Sequence, residues 1–243
     1  MFIGIANRIP KLSDLAGFAP SALSNLVLWM RADTGVATGG ARKFTNGNSE
    51  YFTGGDDTDF EPGDADFTIA GWVYLDNLDT AQGFCGKYDF GDNNREYLVF
   101  YQQSSNRIRF HVSGDGQGGA SITQLVASTL GAPSAGQWYF IVAWHDATAN
   151  TINIQVNNGT VDSESHTAGI FQGTANFLLG SEEQTSPAFQ LDGRMAKWGF
   201  WDRTLTADER TSLYNNGNGL TYGSLSSGLK TSLVSYWKTQ AML

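Results

Sequence analysis

The sequence predicts an all-β protein, an antiparallel sandwich or barrel, on three observations. Short apolar runs recur along the chain with no helical period between them. Gly, Asn and Asp cluster between those runs, where turns are needed. Aromatics reach 13% and Gly 29 residues, against only 5 Pro and 16% charged residues, a mixture suited to many strands joined by tight turns. A length of 243 residues fits one such domain with arms, because all-β sandwiches run to roughly 200–250 residues as single units.

Residues 1–25 stand apart as an N-terminal arm. Ile3, Ile5, Ile9, Leu12, Leu15 and Phe18 recur without alternation and are interrupted by Pro10 and Pro20. The segment is either a strap on its own sandwich or an anchor that docks on a neighbouring subunit. Strand signals begin with Leu26-Val27-Leu28-Trp29-Met30 and resume at Tyr51-Phe52. Phe67 to Leu75 is apolar at both parities, as in a central strand covered on both faces. Tyr97–Tyr101 and Ile108–Val112 read as a hairpin over Ser104-Ser105-Asn106, and Trp138–Trp144 as a further buried strand. Ile152–Val156 alternates, which predicts one wet face, and Asn157-Asn158-Gly159 supplies left-handed turn residues. Phe177–Leu179 and Met195–Trp201 complete a set of about nine strands, a sandwich or barrel rather than an α/β fold.

One helix is marked by a capping box: the Thr206 hydroxyl can accept a free N–H while Glu209 reaches back. Leu213 and Tyr214 then face inward, and Asn215-Asn216-Gly217 ends the helix. The expected organisation is an arm over 1–25, a main domain over 26–222, and a linker with a short C-terminal extension over 223–243. Within that extension, Leu233-Val234-Ser235-Tyr236-Trp237-Lys238 echoes the run at Leu26–Arg31 and reads as the opening strand of a second copy.

Net charge −9 and a pI near 4.7 argue against nucleic acid, whose phosphates call for the opposite sign. They suit solubility or a hard cation such as calcium. Cys85 is the only cysteine, so no intramolecular disulfide forms. No apolar run approaches the ~18 residues of a membrane span, and Met1–Arg8 lacks the features of a signal peptide. Neither membrane insertion nor secretion by a leader is expected.

Three stretches resemble the laminin-G-like and pentraxin jelly rolls of the concanavalin A-like superfamily. The first joins Phe44-Thr45 and Asn48–Phe52 to Phe67–Val73. The second joins Gly136–Val142 to Ile152–Gly159. The third runs through Leu179-Gly180, Leu191–Met195, Phe200-Trp201 and Leu205–Tyr214. The resemblance implies a two-sheet antiparallel jelly-roll sandwich with one short C-terminal helix. The ending Asn215–Tyr222 is also similar to domains of this type found in bacteriophage structural proteins. Carried over from pentraxins, a calcium site is implied at Asp92, Asn93, Glu182, Glu183 and Gln184, with Gln190 as a further ligand. Gln184 replaces an acidic residue there and Gln190 is offset by one position, so solvated acidic loops are the other reading.

Asp56–Asp59 with Glu61 reads as an exposed turn, and Ser113–Gly119 as a mobile connection. Glucanases of this fold place catalytic carboxylates at alternate strand positions, and no Glu-x-Asp-x-x-Glu or similar array occurs in this sequence. His111, His145 and His166 lack local partners for nucleophilic catalysis, and Cys85 reads as a structural thiol. Most of the tryptophans fall inside apolar runs and read as core, whereas Tyr88, Phe90 and Phe171 are expected as exposed rim aromatics able to meet a ligand. The expected function is non-enzymatic: a virion-surface component, capsid decoration or tail appendage, that docks on other virion subunits through its arm and touches host glycans. A free, extracellular, calcium-dependent lectin is the alternative, and a glycoside hydrolase stands third.

Overall fold

The computed structural model describes residues 41–48, 50–182 and 189–237. The arm, the run at 26–31, Glu183 and Gln184 lie outside them. In chain order the strands are β1 (Arg42–Phe44), β2 (Phe52–Gly55), β3 (Phe67–Leu75), β4 (Gln82–Asp89), β5 (Asn94–Gln102), β6 (Arg107–Gly116) and β7 (Ile122–Val126). They continue as β8 (Gln137–Asp146), β9 (Thr151–Val156), β10 (Val161–Ser165), β11 (Phe177–Leu179), β12 (Gly193–Trp201) and β13 (Leu233–Trp237). Helix α1 (Ala207–Tyr214) and the single turn α2 (Ser227–Lys230) lie between β12 and β13.

Two antiparallel sheets face each other, as the resemblance implies for a jelly roll. One has seven strands in the order β1-β12-β3-β8-β9-β10, with β13 also on β12; the other has six in the order β2-β11-β4-β5-β6-β7. Strand β3 sits between β12 and β8, and its two parities divide between two layers. Phe67, Ile69, Val73 and Leu75 enter the core between the sheets, while Ala70 and Trp72 join a second cluster on the outer face. Gly71 lets the Trp198 indole lie flat against the strand, where a Cβ would come within 2.2 Å of the ring. The Trp198 Nε1–H donates to Trp72 O at 2.9 Å.

A third layer seals the outer face of the seven-stranded sheet. Leu205, Leu213, Leu225 and Leu229 pack there on Trp72, Phe140, Val142, Trp144 and Trp201. The capping box forms as the sequence indicates, with Glu209 N donating to Thr206 Oγ1 and Thr206 N to Glu209 Oε2. Tyr214 stacks on Trp72 at 5.7 Å. This cover corrects the expected wet face of β9. Asn153 and Gln155 are both buried, and Gln155 Oε1 accepts from Arg210 Nε of α1 at 2.8 Å. The C-terminal segment, set apart in the sequence as an extension, gives this sandwich a strand: Leu233–Trp237 pairs with Trp198–Trp201 of β12. Trp237 enters the inner core beside Phe177, 5.0 Å away. The stretch from Ser113 also differs from expectation, since β6 continues through Gly116.

Asp56 and Glu61 do more than form a turn. Lys87 of β4 is 0% exposed, and its ammonium donates to Asp56 Oδ1 and Glu61 Oε1, both at 2.8 Å, with Glu96 Oε1 at 3.5 Å. Burial pulls the Lys87 pKa down, and the bonds to Asp56 and Glu61, together with the charges of Glu96 and Glu61, more than reverse this. Glu96 goes the other way. Burial raises its carboxyl from 4.5 to about 8 despite Lys87 nearby.

The folded state therefore holds the Glu96 proton more tightly than the unfolded chain, and stability drawn from this group declines as pH rises from 4.5 to 8. Glu96→Gln mimics the protonated form without that decline. Calorimetry is expected to show a stability advantage over wild type that grows across this range to about 1 kcal/mol or more, at roughly 2–4 °C in Tm per kcal/mol. Parallel pH profiles for the two proteins would contradict the assignment.

Candidate functional site

The outer face of the six-stranded sheet is where described side chains of binding character gather. Two irregularities build it. The register of β4 against β5 shifts between Lys87 and Tyr88, and that of β5 against β6 between Arg95 and Tyr97. Lys87 and Tyr97, paired across the strands, belong to the inner side, while the next pair, Tyr88 and Arg95, meets on the outer side. The connecting turn is set by Gly91 N donating to Asp89 Oδ1 and by Asn93 at φ 54°.

Arg95 organises this end. Its guanidinium donates to Asn93 Oδ1 at 3.0 Å, to Gly116 O at 3.4 Å and to Phe90 O. It lies 4.7 Å from the centre of the Phe90 ring and 5.9 Å from that of Tyr88. Arg95 is only 5% exposed, whereas Phe90 is 61% exposed, the one large hydrophobic side chain so placed among the described residues. The result is an aromatic ring turned to solvent beside a buried cation, in a cation–π pair.

Further along the same face, Tyr88, Leu98 and Phe100 form a small buried cluster under Phe189 and Ile122. Phe189 lies parallel to Phe100 at 6.0 Å, and His111 meets Phe100 edge-on at 4.6 Å. Burial, helped by Arg109, lowers the His111 pKa to about 4, so the imidazole is neutral at physiological pH, with Nε2 left without a hydrogen-bond partner. Burial, helped by the Glu182 carboxylate, raises the Tyr88 phenol to about 12.

The residues expected from sequence divide. Asp92 is exposed in the hairpin turn and Glu182 is buried near Tyr88. The Asn93 side-chain oxygen serves Arg95, and Gln190 Oε1 accepts from Gly47 N at 2.9 Å. No group of three or more His, Cys, Asp or Glu among the described residues is arranged to hold a metal ion. Of the rim aromatics, Phe90 is exposed as expected. Tyr88 is not, because β4 extends through it and Leu98 and Phe100 pack beside it. Phe171 is half-buried, its ring against Gly116. Sequence reading did not single out Arg95, Leu98, Phe100 or Phe189, and weighed His111 only for nucleophilic catalysis. The available signal was the unbroken apolar run Tyr97–Tyr101, which requires cover on both faces of β5.

With this geometry in view, the family can be stated. Residues 45–209, well over half of the chain, match the laminin-G-type model described as the concanavalin A-like lectin/glucanases superfamily, and the chain belongs to that family. Among solved structures it is similar to a native heptameric SAP-like pentraxin from Limulus polyphemus (TM-score 0.53, 10% identity, 72% of this chain and 81% of that one). It is also similar to a Bacteroides ovatus ATCC 8483 protein provisionally described as carbohydrate-binding (0.59, 12%, 82% of this chain, 51% of that one). A third is the CBM40 of the Ruminococcus gnavus IT-sialidase, bound to α2,3-sialyllactose (0.51, 12%, 73% and 94%). This chain thus spans about half the length of the Bacteroides ovatus protein. A comparison with curated proteins finds no match. These likenesses show the two-sheet jelly-roll fold alone.

Gly83 admits the chain that covers this face: a Cβ there would lie 2.8 Å from Ser181 C and Glu182 N. Gly83→Ala is expected to destabilise by about 1–3 kcal/mol in chemical denaturation, because backbone must move. Gly223→Ala, whose added methyl meets nothing closer than 3.9 Å, should stay within about 0.5 kcal/mol of wild type. Equal effects would contradict the close approach.

Proposed function

We propose that this chain is a non-catalytic glycan-binding module whose contact surface is the outer face of the six-stranded sheet around Phe90. The observation that carries this reading is the exposed Phe90 ring held over the Arg95 guanidinium. The apolar face of a sugar ring stacks on such a ring, while its hydroxyls seek polar groups at the edge. The absence of a catalytic carboxylate array in the sequence and the sialyllactose-bound neighbour support it.

The setting we propose is the surface of a bacteriophage-like particle, as a decoration or tail appendage. Its support is the apolar segment 1–25, which reads as an anchor to other virion subunits, and the resemblance at Asn215–Tyr222. Co-sedimentation of this chain with purified particles is the expected result; its recovery only as free protein would favour the lectin alternative.

Phe90→Ala is expected to lower affinity for a glycan selected on an array about tenfold, near 1.4 kcal/mol, while stability changes by less than about 0.5 kcal/mol. Unchanged affinity would overturn the reading. The same titration with millimolar calcium and with chelator tests the proposed involvement of Asp92, Glu182 and Glu183: tighter binding or a higher Tm with calcium supports it, and identical curves oppose it.

A further inference from the structure

At one edge of the sandwich β7 and β10, the last strands of the two sheets, lie against each other. A cleft of about 370 Å³ opens there, lined by Asp115, Ser121, Thr123, Ser165, His166 and Thr167 together with Gly114, Ala120 and Ala168. It contains one carboxylate and neither Lys nor Arg.

The protons of its inner wall are already committed. His166 Nε2 lies 2.5 Å from Gly169 O, and a carbonyl only accepts, so Nε2 carries the hydrogen. Burial, opposed by the bond to Gly169, lowers the His166 pKa and so disfavours a second ring proton. Nδ1 is then an acceptor and takes the Thr123 hydroxyl proton across 2.9 Å. On the other side, Asp115 accepts from Gln117 N at 2.9 Å, from Ser113 Oγ at 3.2 Å and from the Ser121 hydroxyl. These bonds hold its carboxyl below the usual range, the Gln117 N–H contributing most. Thr123 and Ser121 have therefore spent their hydrogens within the protein and offer oxygen lone pairs to the cleft, beside an ionised carboxylate. The Ser165 and Thr167 hydroxyls on the facing wall can turn to accept as well. Asp64, which packs at Gly169, adds negative potential near His166.

A wall of acceptors around one negative charge selects a ligand rich in hydrogen-bond donors and positively charged. We propose that this cleft binds a protonated primary amine carried on a small polar molecule, such as an amino sugar with a free amino group. An ammonium supplies three N–H donors and no acceptor, the complement of what the cleft presents. The proposal is independent of the Phe90 surface.

The test uses the full chain, labelled for amide NMR, and D-glucosamine as probe in a slightly acidic buffer where its amine is protonated. Saturable shifts are expected at Asp115, Ser121, Thr123 and His166. N-acetyl-D-glucosamine, which keeps the ring but loses the charge, should bind at least about tenfold more weakly. Asp115→Asn, which keeps an oxygen for the Gln117 N–H, should weaken glucosamine binding to a similar extent with the fold intact by its amide spectrum. Absence of saturable shifts at the cleft, equal binding of the two sugars, or undiminished binding by the variant would each overturn the proposal. A response confined to Tyr88, Leu98 and Phe100 would overturn it too, by assigning the sugar to the Phe90 face.

Discussion

A buried lysine fixes the geometry on which the Phe90 hairpin, the proposed contact surface, depends. Lys87 lies on a strand whose neighbours at that position, Tyr97 and Phe177, are core residues. A cation there without partners would forfeit several kcal/mol, so β4 must stay in reach of Asp56 and Glu61, which border a one-turn helix. That requirement acts at the register shift. With Lys87 and Glu96 turned toward the ion cluster, their chain neighbours Tyr88 and Arg95 are delivered to the outer face. The cluster and the Phe90–Arg95 pair are thus two sides of one hairpin.

Which face is free for ligands follows from how the layers are covered. The inner faces of both sheets bury each other. The outer face of the seven-stranded sheet is closed by α1, α2 and the chain leading to β13, with Trp201 Nε1 donating to Leu229 O at 2.8 Å and Arg203 paired with Glu209 at 2.7 Å. Among the described residues the six-stranded sheet has a lighter cover, in which Phe189 and Ile122 reach the Tyr88–Leu98–Phe100 cluster. Its far end, at Phe90, is open to solvent. A ligand surface on this sheet needs no rearrangement of the core.

Much of this was legible in the sequence, for identifiable reasons. The two-sided apolar runs of β3 and β8 mark strands covered on both faces, and Thr206 with Glu209 marks α1. Strand β4 escaped because Gly83, Gly86 and Lys87 interrupt its apolar pattern, and each interruption answers to a distant partner. Gly83 makes room for residues 181–182, and Lys87 meets carboxylates 31 and 26 positions earlier. The misjudged face of β9 has the same origin, since its cover arrives with Arg210, 55 residues later. At the site, Phe90 was readable as an exposed aromatic. Arg95, His111 and Phe189 were not, because their roles arise from cross-strand register and from a loop return that no local pattern encodes.

The surface proposed to meet glycans is the outer face of the six-stranded sheet. A crystal structure of the full chain with an oligosaccharide chosen by array binding tests it most directly. Sugar density is expected stacked on the Phe90 ring, with polar contacts to the hairpin at Asp92 and Asn93. Density confined to the α1 side of the seven-stranded sheet, with Phe90 bare, would contradict it.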